Sequence, residues 1–308
     1  MSYDENNPPY GDNIATEAIV PEEELQESSS GEIFTMQLND FPVEIKSGLS
    51  SVIGSRAVQQ DAARVDNEYM FFDRGVYLAV MCDGMGGMTG GEVASNLCVT
   101  KMFEAFYCVD VRGRVPSFFK FMIENIDKMI YNLTDDNGKT MHSGSTLTSI
   151  IIEDGSLYWA SVGDSHIYIK RGNEMMCVNK DHNYGMVLDR KVKDGQMKKE
   201  EAQAAPNRAA LVSYIGIGGV PYMDINPHPF PLRSGDTVLL CSDGLYHSVS
   251  EREIIGIIDA STDMQQAAEA LTAAAIAKGK RHQDNTTAVL VQYCEKVMNS
   301  APFNMPMK

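Results

Sequence analysis

The sequence predicts an α+β fold built on antiparallel sheets. Three observations lead there. Short apolar runs of strand length come as close neighbours at 145–152, 156–162 and 165–170. Asp154-Gly155 between the first two is a hairpin turn signal. Segments of helical period are grouped between blocks of strands and do not alternate with them one for one, which disfavours a doubly wound parallel sheet.

In chain order, residues 1–44 read as an acidic, disordered tail. Eleven Asp and Glu lie between Asp4 and Glu44, with no Lys or Arg. Such a segment has too little apolar surface to offset its ordering entropy. Within it, Ile33-Phe34-Thr35-Met36 is the one apolar stretch suited to docking on a partner. Val76 to Cys82 is a buried strand running into Asp83-Gly84. Residues 91–109 and 115–133 have apolar spacing near 3.6 and read as helices. After the three clustered strands, 184–205 is polar and helix-forming. Thr237 to Cys241 is a second buried strand, running into Ser242-Asp243-Gly244. Helices follow at 251–259 and 263–278, and a last strand runs from Thr286 to Tyr293. With no solenoid repeat, the chain reads as one domain at 45–296 and a short C-terminal tail at 297–308.

Charge and cysteine usage exclude several function classes. The net charge is −16, but outside the first 45 residues 31 acids face 26 bases, a net of −5. Nucleic-acid binding needs a basic face, so it is not expected. The six cysteines form no C-x-x-C pair, and several stand in apolar runs as small buried hydrophobes. No secretory signal is evident, and no apolar run reaches the roughly 20 residues needed to cross a bilayer. A soluble cytoplasmic monomer is the expectation.

The chemistry sits on aspartates. Met81-Cys82-Asp83-Gly84 and Cys241-Ser242-Asp243-Gly244 each deliver an Asp from a buried strand. A strand fixes the carboxylate, and Gly lets the backbone turn. Each Asp-Gly alone is an ordinary turn signature; two strands that end alike weaken that reading. Asp61, in Gln59-Gln60-Asp61-Ala62, and Asp284, just before the last strand, fit the same logic. Converging carboxylates repel by roughly 4 kcal/mol per close pair at an effective dielectric near 20. A divalent cation removes that cost, and oxygen-only ligands select Mg²⁺ or Mn²⁺.

The order of these motifs resembles the metal-dependent protein serine/threonine phosphatases of type 2C. The matching segments are Arg56 to Asp61-Ala62; Asp83-Gly84-Met85-Gly86-Gly87 with Gly90-Gly91-Glu92; Gly144-Ser145-Thr146; Val162-Gly163-Asp164-Ser165; Asp181-His182; Ser242-Asp243-Gly244; and Asp284-Asn285-Thr286-Thr287. They span about residues 45–294, and the Asp-Gly-Met-Gly-Gly form is similar to bacterial members. The resemblance implies a β-sandwich of two antiparallel sheets flanked by helices, in four αββα layers, with two Mn²⁺ or Mg²⁺ ions in a cleft at one end. It implies that Asp83 bridges both ions and that the Gly84 carbonyl ligates one. Asp243 and Asp284 ligate the other, and Asp61 acts close by through water. Arg56 binds the substrate phosphate, Asp164 holds a third, weaker ion, and 184–205 forms a flap. The implied reaction is hydrolysis of phosphoserine and phosphothreonine by a metal-activated hydroxide, without a protein nucleophile. The implied partners are phosphoproteins and a cognate Ser/Thr kinase whose signalling the enzyme opposes.

Three positions depart from the family pattern. Gln60 stands where an acid is usual, Met85 where some members have His as a proposed general acid, and His166 where Arg usually follows Gly-Asp-Ser. Competing motifs are incomplete. Gly138-Lys139-Thr140 has Leu133 where a P-loop needs its first glycine, and Gly84-Met85-Gly86 has Thr89 where a dinucleotide loop needs its third.

Overall fold

The computed structural model describes residues 43–66, 75–86, 90–135, 137–278 and 282–296. Residues 1–42 of the acidic tail, with the Ile33–Met36 stretch, and the tail at 297–308 lie outside the described residues. The chain opens with β1 (Val43–Val52), β2 (Asp61–Val65) and β3 (Val76–Met85). Helices α1 (Gly90–Cys108) and α2 (Val115–Tyr131) follow. Next come β4 (Gly144–Ser145), β5 (Leu147–Glu153), β6 (Ser156–Val162), β7 (His166–Arg171) and β8 (Glu174–Cys177). A helical excursion holds α3 (Tyr184–Lys193) and α4 (Lys199–Gln203). The chain then returns through β9 (Asp224–Ile225), β10 (Phe230–Pro231) and β11 (Thr237–Cys241). It ends with α5 (Asp243–Tyr246), α6 (Glu251–Ala260), α7 (Met264–Ala277) and β12 (Thr286–Glu295).

The strands form two antiparallel sheets, as the sequence predicts. One has the order β1-β12-β11-β7-β8. The other has β10-β6-β5-β3-β2, with β4 added to β3 and β9 to β6. Alternation along each strand builds the layers. Tyr77, Ala79 and Met81 of β3 face the second sheet and meet Val238, Leu240, Val289 and Val291 between the sheets. Leu78, Val80 and Cys82 of β3 face outward, where Ala94, Cys98, Met102 and Phe103 of α1 cover them with Phe119 and Ile123 of α2. On the other outer face Leu239, Ala288 and Leu290 meet Ile254, Ile258, Ala267, Ala268 and Leu271 of α6 and α7. Both faces of both sheets are therefore buried, which gives four layers.

Local chemistry sets the boundaries. Asp154 and Gly155 both have positive φ, 48° and 74°, as the predicted β5–β6 turn requires. Ser250 and Glu253 form a capping box at the start of α6, and the Asp263 side chain accepts from Gln266 N at 2.8 Å to cap α7. Three findings refine the sequence reading. Asp243-Gly244 opens the short helix α5 and is not a turn. β3 continues through Asp83 to Met85, because Gly84 and Met85 pair with Ser145 and Gly144. Of the cysteines, only Cys82, Cys98 and Cys241 are buried, while Cys108 is exposed.

Candidate metal centre

The β2–β3 register places Asp61 directly opposite Asp83. Asp243 follows β11 through Ser242, Asp284 lies two residues before β12, and those strands are neighbours in the other sheet. Hydrogen bonds tie the two sheet ends together at Asp61. Its Oδ2 accepts from Ser242 Oγ at 2.8 Å and from Thr287 Oγ1 at 2.7 Å. Asp83 is fixed by its backbone: its N–H donates to Thr146 Oγ1 at 2.9 Å, and its carbonyl accepts from Ser145 Oγ at 3.0 Å and Thr146 N at 2.8 Å.

Glycine is required where the chain closes around the aspartates. A Cβ on Gly84 would stand 2.1 Å from the Gly91 carbonyl oxygen, and one on Gly91 would stand 2.5 Å from Gln60 Nε2. The N-terminus of α1 therefore packs backbone to backbone on β3 beside Asp83. Asn285 clamps the segment leading to Asp61, accepting from Gln60 N and donating to the Ile53 and Val58 carbonyls.

The carboxylates feel one another. Burial, then the Asp61, Asp243, Asp164 and Asp284 charges, drives Asp83 well above the usual carboxylate range. Burial raises Asp61 to about 6, although its two hydroxyl donors pull the other way. Asp164 also rises to about 6, from burial first and Asp243 next. Asp243 is raised by burial and then by Asp284. Asp284 is instead paired with a cation, Arg56 NH2, at 2.6 Å.

Five of the six proposed metal residues are carboxylates, and the sixth, Gly84, is packed against the Gly91 and Gln60 backbone beside Asp83. Asp61 Oδ1 and Asp243 Oδ1 are buried without any hydrogen-bond partner. An orphaned buried carboxylate oxygen is costly in a dry site. Oxygen-only donors with orphaned lone pairs and raised pKa values fit a hard divalent cation. Among the described residues, no three acidic, His or Cys side chains are gathered closely enough to form a finished ligand shell.

The sequence reading assigned no role to Ser242, Thr146, Thr287 or Asn285, although all stand in the matched motifs. Their signal was adjacency: each is a hydroxyl or amide residue within one or two positions of a strand end next to the aspartates.

A family model for protein phosphatase 2C matches residues 50–279. The protein phosphatase PhpP of Streptococcus pneumoniae is 31% identical over 221 residues, covering 71% of this chain and 87% of the relative. The Streptococcus agalactiae serine/threonine phosphatase structure superposes with a TM-score of 0.70 at 27% identity, covering 81% of this chain and 99% of that one. The catalytic domain of the serine/threonine phosphatase PstP, in complex with 2 manganese ions, shares the fold with a TM-score of 0.65 at 24% identity over 82% of this chain and 100% of its own. The chain belongs to the protein phosphatase 2C family. It is a bacterial-type member, and its two-sheet architecture is the family's.

Proposed function

We propose that this phosphatase hydrolyses phosphoserine and phosphothreonine in proteins, with divalent metal held by Asp61, Asp83, Asp243, Asp284 and the Gly84 carbonyl, and a weaker ion near Asp164. The observation that supports this most is Asp61 facing Asp83 across β2 and β3, with two buried carboxylate oxygens left unpartnered. Divalent Mn²⁺ or Mg²⁺ held by these residues, two ions in this proposal, would supply an activated water and offset charge on the phosphoryl oxygens.

The protein's own contribution is placement. Ser242 and Thr287 hold Asp61 between the sheets, and Thr146 and Ser145 hold the backbone of Asp83. Arg56 is more than half exposed beside Asp284. Its guanidinium fork can exchange that carboxylate for two phosphate oxygens of the substrate. No described side chain is needed as nucleophile. The relatives are named serine/threonine phosphatase and protein phosphatase, which supports phosphoproteins as substrates; opposition to a Ser/Thr kinase in signalling is the further part of this proposal. Among the described residues, no helix is long and apolar enough to cross a membrane.

The test is dephosphorylation of a phosphoserine or phosphothreonine peptide with added Mn²⁺ or Mg²⁺. Activity is expected with either ion and none with a chelator. Full turnover in excess chelator contradicts the metal reading.

A further inference from the structure

His166 stands where the family usually has arginine, and the structure gives it four contacts. It is the first residue of β7, paired with Cys241 just before Ser242-Asp243. Its Nε2 lies 2.9 Å from Asp181 Oδ1, and its Nδ1 lies 2.9 Å from the Tyr168 hydroxyl. Its ring stacks on Tyr246 with centroids 3.8 Å apart and planes 11° apart. The Tyr246 hydroxyl donates to the Asp164 carbonyl at 3.1 Å. A carboxylate oxygen accepts, so Nε2 carries a proton toward Asp181, while Nδ1 and the Tyr168 hydroxyl share the second hydrogen bond.

These contacts join two parts of the molecule. Tyr246 ends α5, the helix that begins on Asp243. Asp181 stands at the root of the helical excursion that carries α3 and α4. Its Oδ2 accepts from Asn183 Nδ2 at 3.3 Å, and Asn183 caps α3 by accepting from Met186 N. The excursion closes where Asn183 bridges Leu211 and Val212 N donates to the His182 carbonyl. Beside Asp181 lies an open cavity of about 510 Å³, with Lys180, Met186, Asp189 and Arg208 in its wall.

We infer that His166 is a positioning residue, which locks the root of the 181–212 excursion to the segment bearing Asp164 and Asp243 and so sets how a phosphoprotein seats beside the metal centre. This rests on the proposed function. The His166 side chain is mostly buried, and its contacts are with Asp181, Tyr168 and Tyr246, none of them among the four carboxylates proposed for the two principal ions. Phosphopeptide, which extends past the reacting group, should feel the lock. A small aryl phosphate should not.

The experiment uses the full chain with Mn²⁺. His166→Phe keeps a stacking ring and removes both hydrogen bonds. Its KM for a phosphopeptide is expected to rise about tenfold, the scale of one lost hydrogen bond to a charged group, with aryl phosphate turnover changed less than about twofold. His166→Gln, which can donate to Asp181 again, should recover most of the phosphopeptide KM. Amide exchange over 184–205 should quicken in His166→Phe and not in the sheets. Asp181→Asn weakens the same bond from the other side and should raise KM without touching the histidine; this covers the case in which His166→Phe fails to fold. An unchanged phosphopeptide KM in both variants, a parallel loss on both substrates, or no recovery in His166→Gln would overturn the inference. A wild type that needs no metal sinks the proposed function instead, and the amide-exchange result still decides the lock.

Discussion

Asp61 and Asp83 face each other across neighbouring antiparallel strands, and Asp61 is held there by hydroxyls from the opposite sheet, Ser242 and Thr287. Two buried like charges at one strand pair are unfavourable unless protonated or neutralised. The energetics of the fold and the chemistry of the site are therefore set against each other at this point.

Removing one of the charges should relieve the metal-free protein. In excess chelator, Asp61→Asn is expected to melt higher than wild type, by about 1–3 kcal/mol of stability. With saturating Mn²⁺ the order should reverse, because wild type gains metal stabilisation that the variant lacks. Thermal melts of both proteins in both conditions check this. A variant less stable than wild type in chelator contradicts it.

The hydroxyl clamp has its own consequence. Thr287→Val keeps the shape and removes one donor to the buried Asp61 Oδ2. A stability loss of about 1–3 kcal/mol is expected, read as a lower denaturation midpoint at unchanged slope. No change would show that Asp61 finds an equal partner elsewhere.

Much of this architecture was legible in the sequence, and the limits are instructive. The strand Thr237–Cys241 and the Asp154-Gly155 turn were readable because apolar runs and positive-φ residues act locally. β1 was not marked, because Val43–Val52 is half polar; its burial comes from β12 and from α7, whose backbone at Met264 lies against Gly48. The four aspartates proposed for the metal site were readable as a set. Their spatial relation was not: Asp61 opposite Asp83 follows from register, and the Asp61–Thr287 bond spans 226 positions of chain. The Arg56–Asp284 pair is likewise a product of folding, 228 positions apart in sequence.

That pair separates substrate capture from metal binding. Arg56→Ala removes the proposed phosphate ligand and the cation paired with Asp284. The KM for a phosphopeptide should rise about tenfold or more, while metal affinity by calorimetry stays equal or tightens. Because the pair is exposed, stability should change by less than about 1 kcal/mol. Collapse of metal affinity with an unmoved KM contradicts the assignment.

His182 makes stability depend on pH. Gly163 N donates to its Nδ1 at 3.2 Å, so the folded ring is neutral at that nitrogen. Burial lowers its pKa, against the opposing charges of Asp224 and Asp181. The free chain titrates near about 6.5. Between the folded value and that one the unfolded chain binds more protons. The contribution is therefore complete above about pH 6.5 and is lost as pH falls through the folded pKa. From pH 7.5 to about 5.5, wild type should lose more melting temperature than His182→Gln. Parallel curves contradict this.

The proposed role of Asp83, a carboxylate that would hold the divalent metal needed for hydrolysis, is addressed most directly by one measurement. It is the turnover of a phosphopeptide by Asp83→Asn at saturating Mn²⁺, beside wild type, with folding of the variant verified by its melt. The substitution keeps the shape and removes the charge at a residue whose pKa is raised by burial and then by the Asp61, Asp243, Asp164 and Asp284 charges. The account predicts a folded protein with turnover reduced at least about a hundredfold. Near wild-type turnover at saturating metal would contradict it.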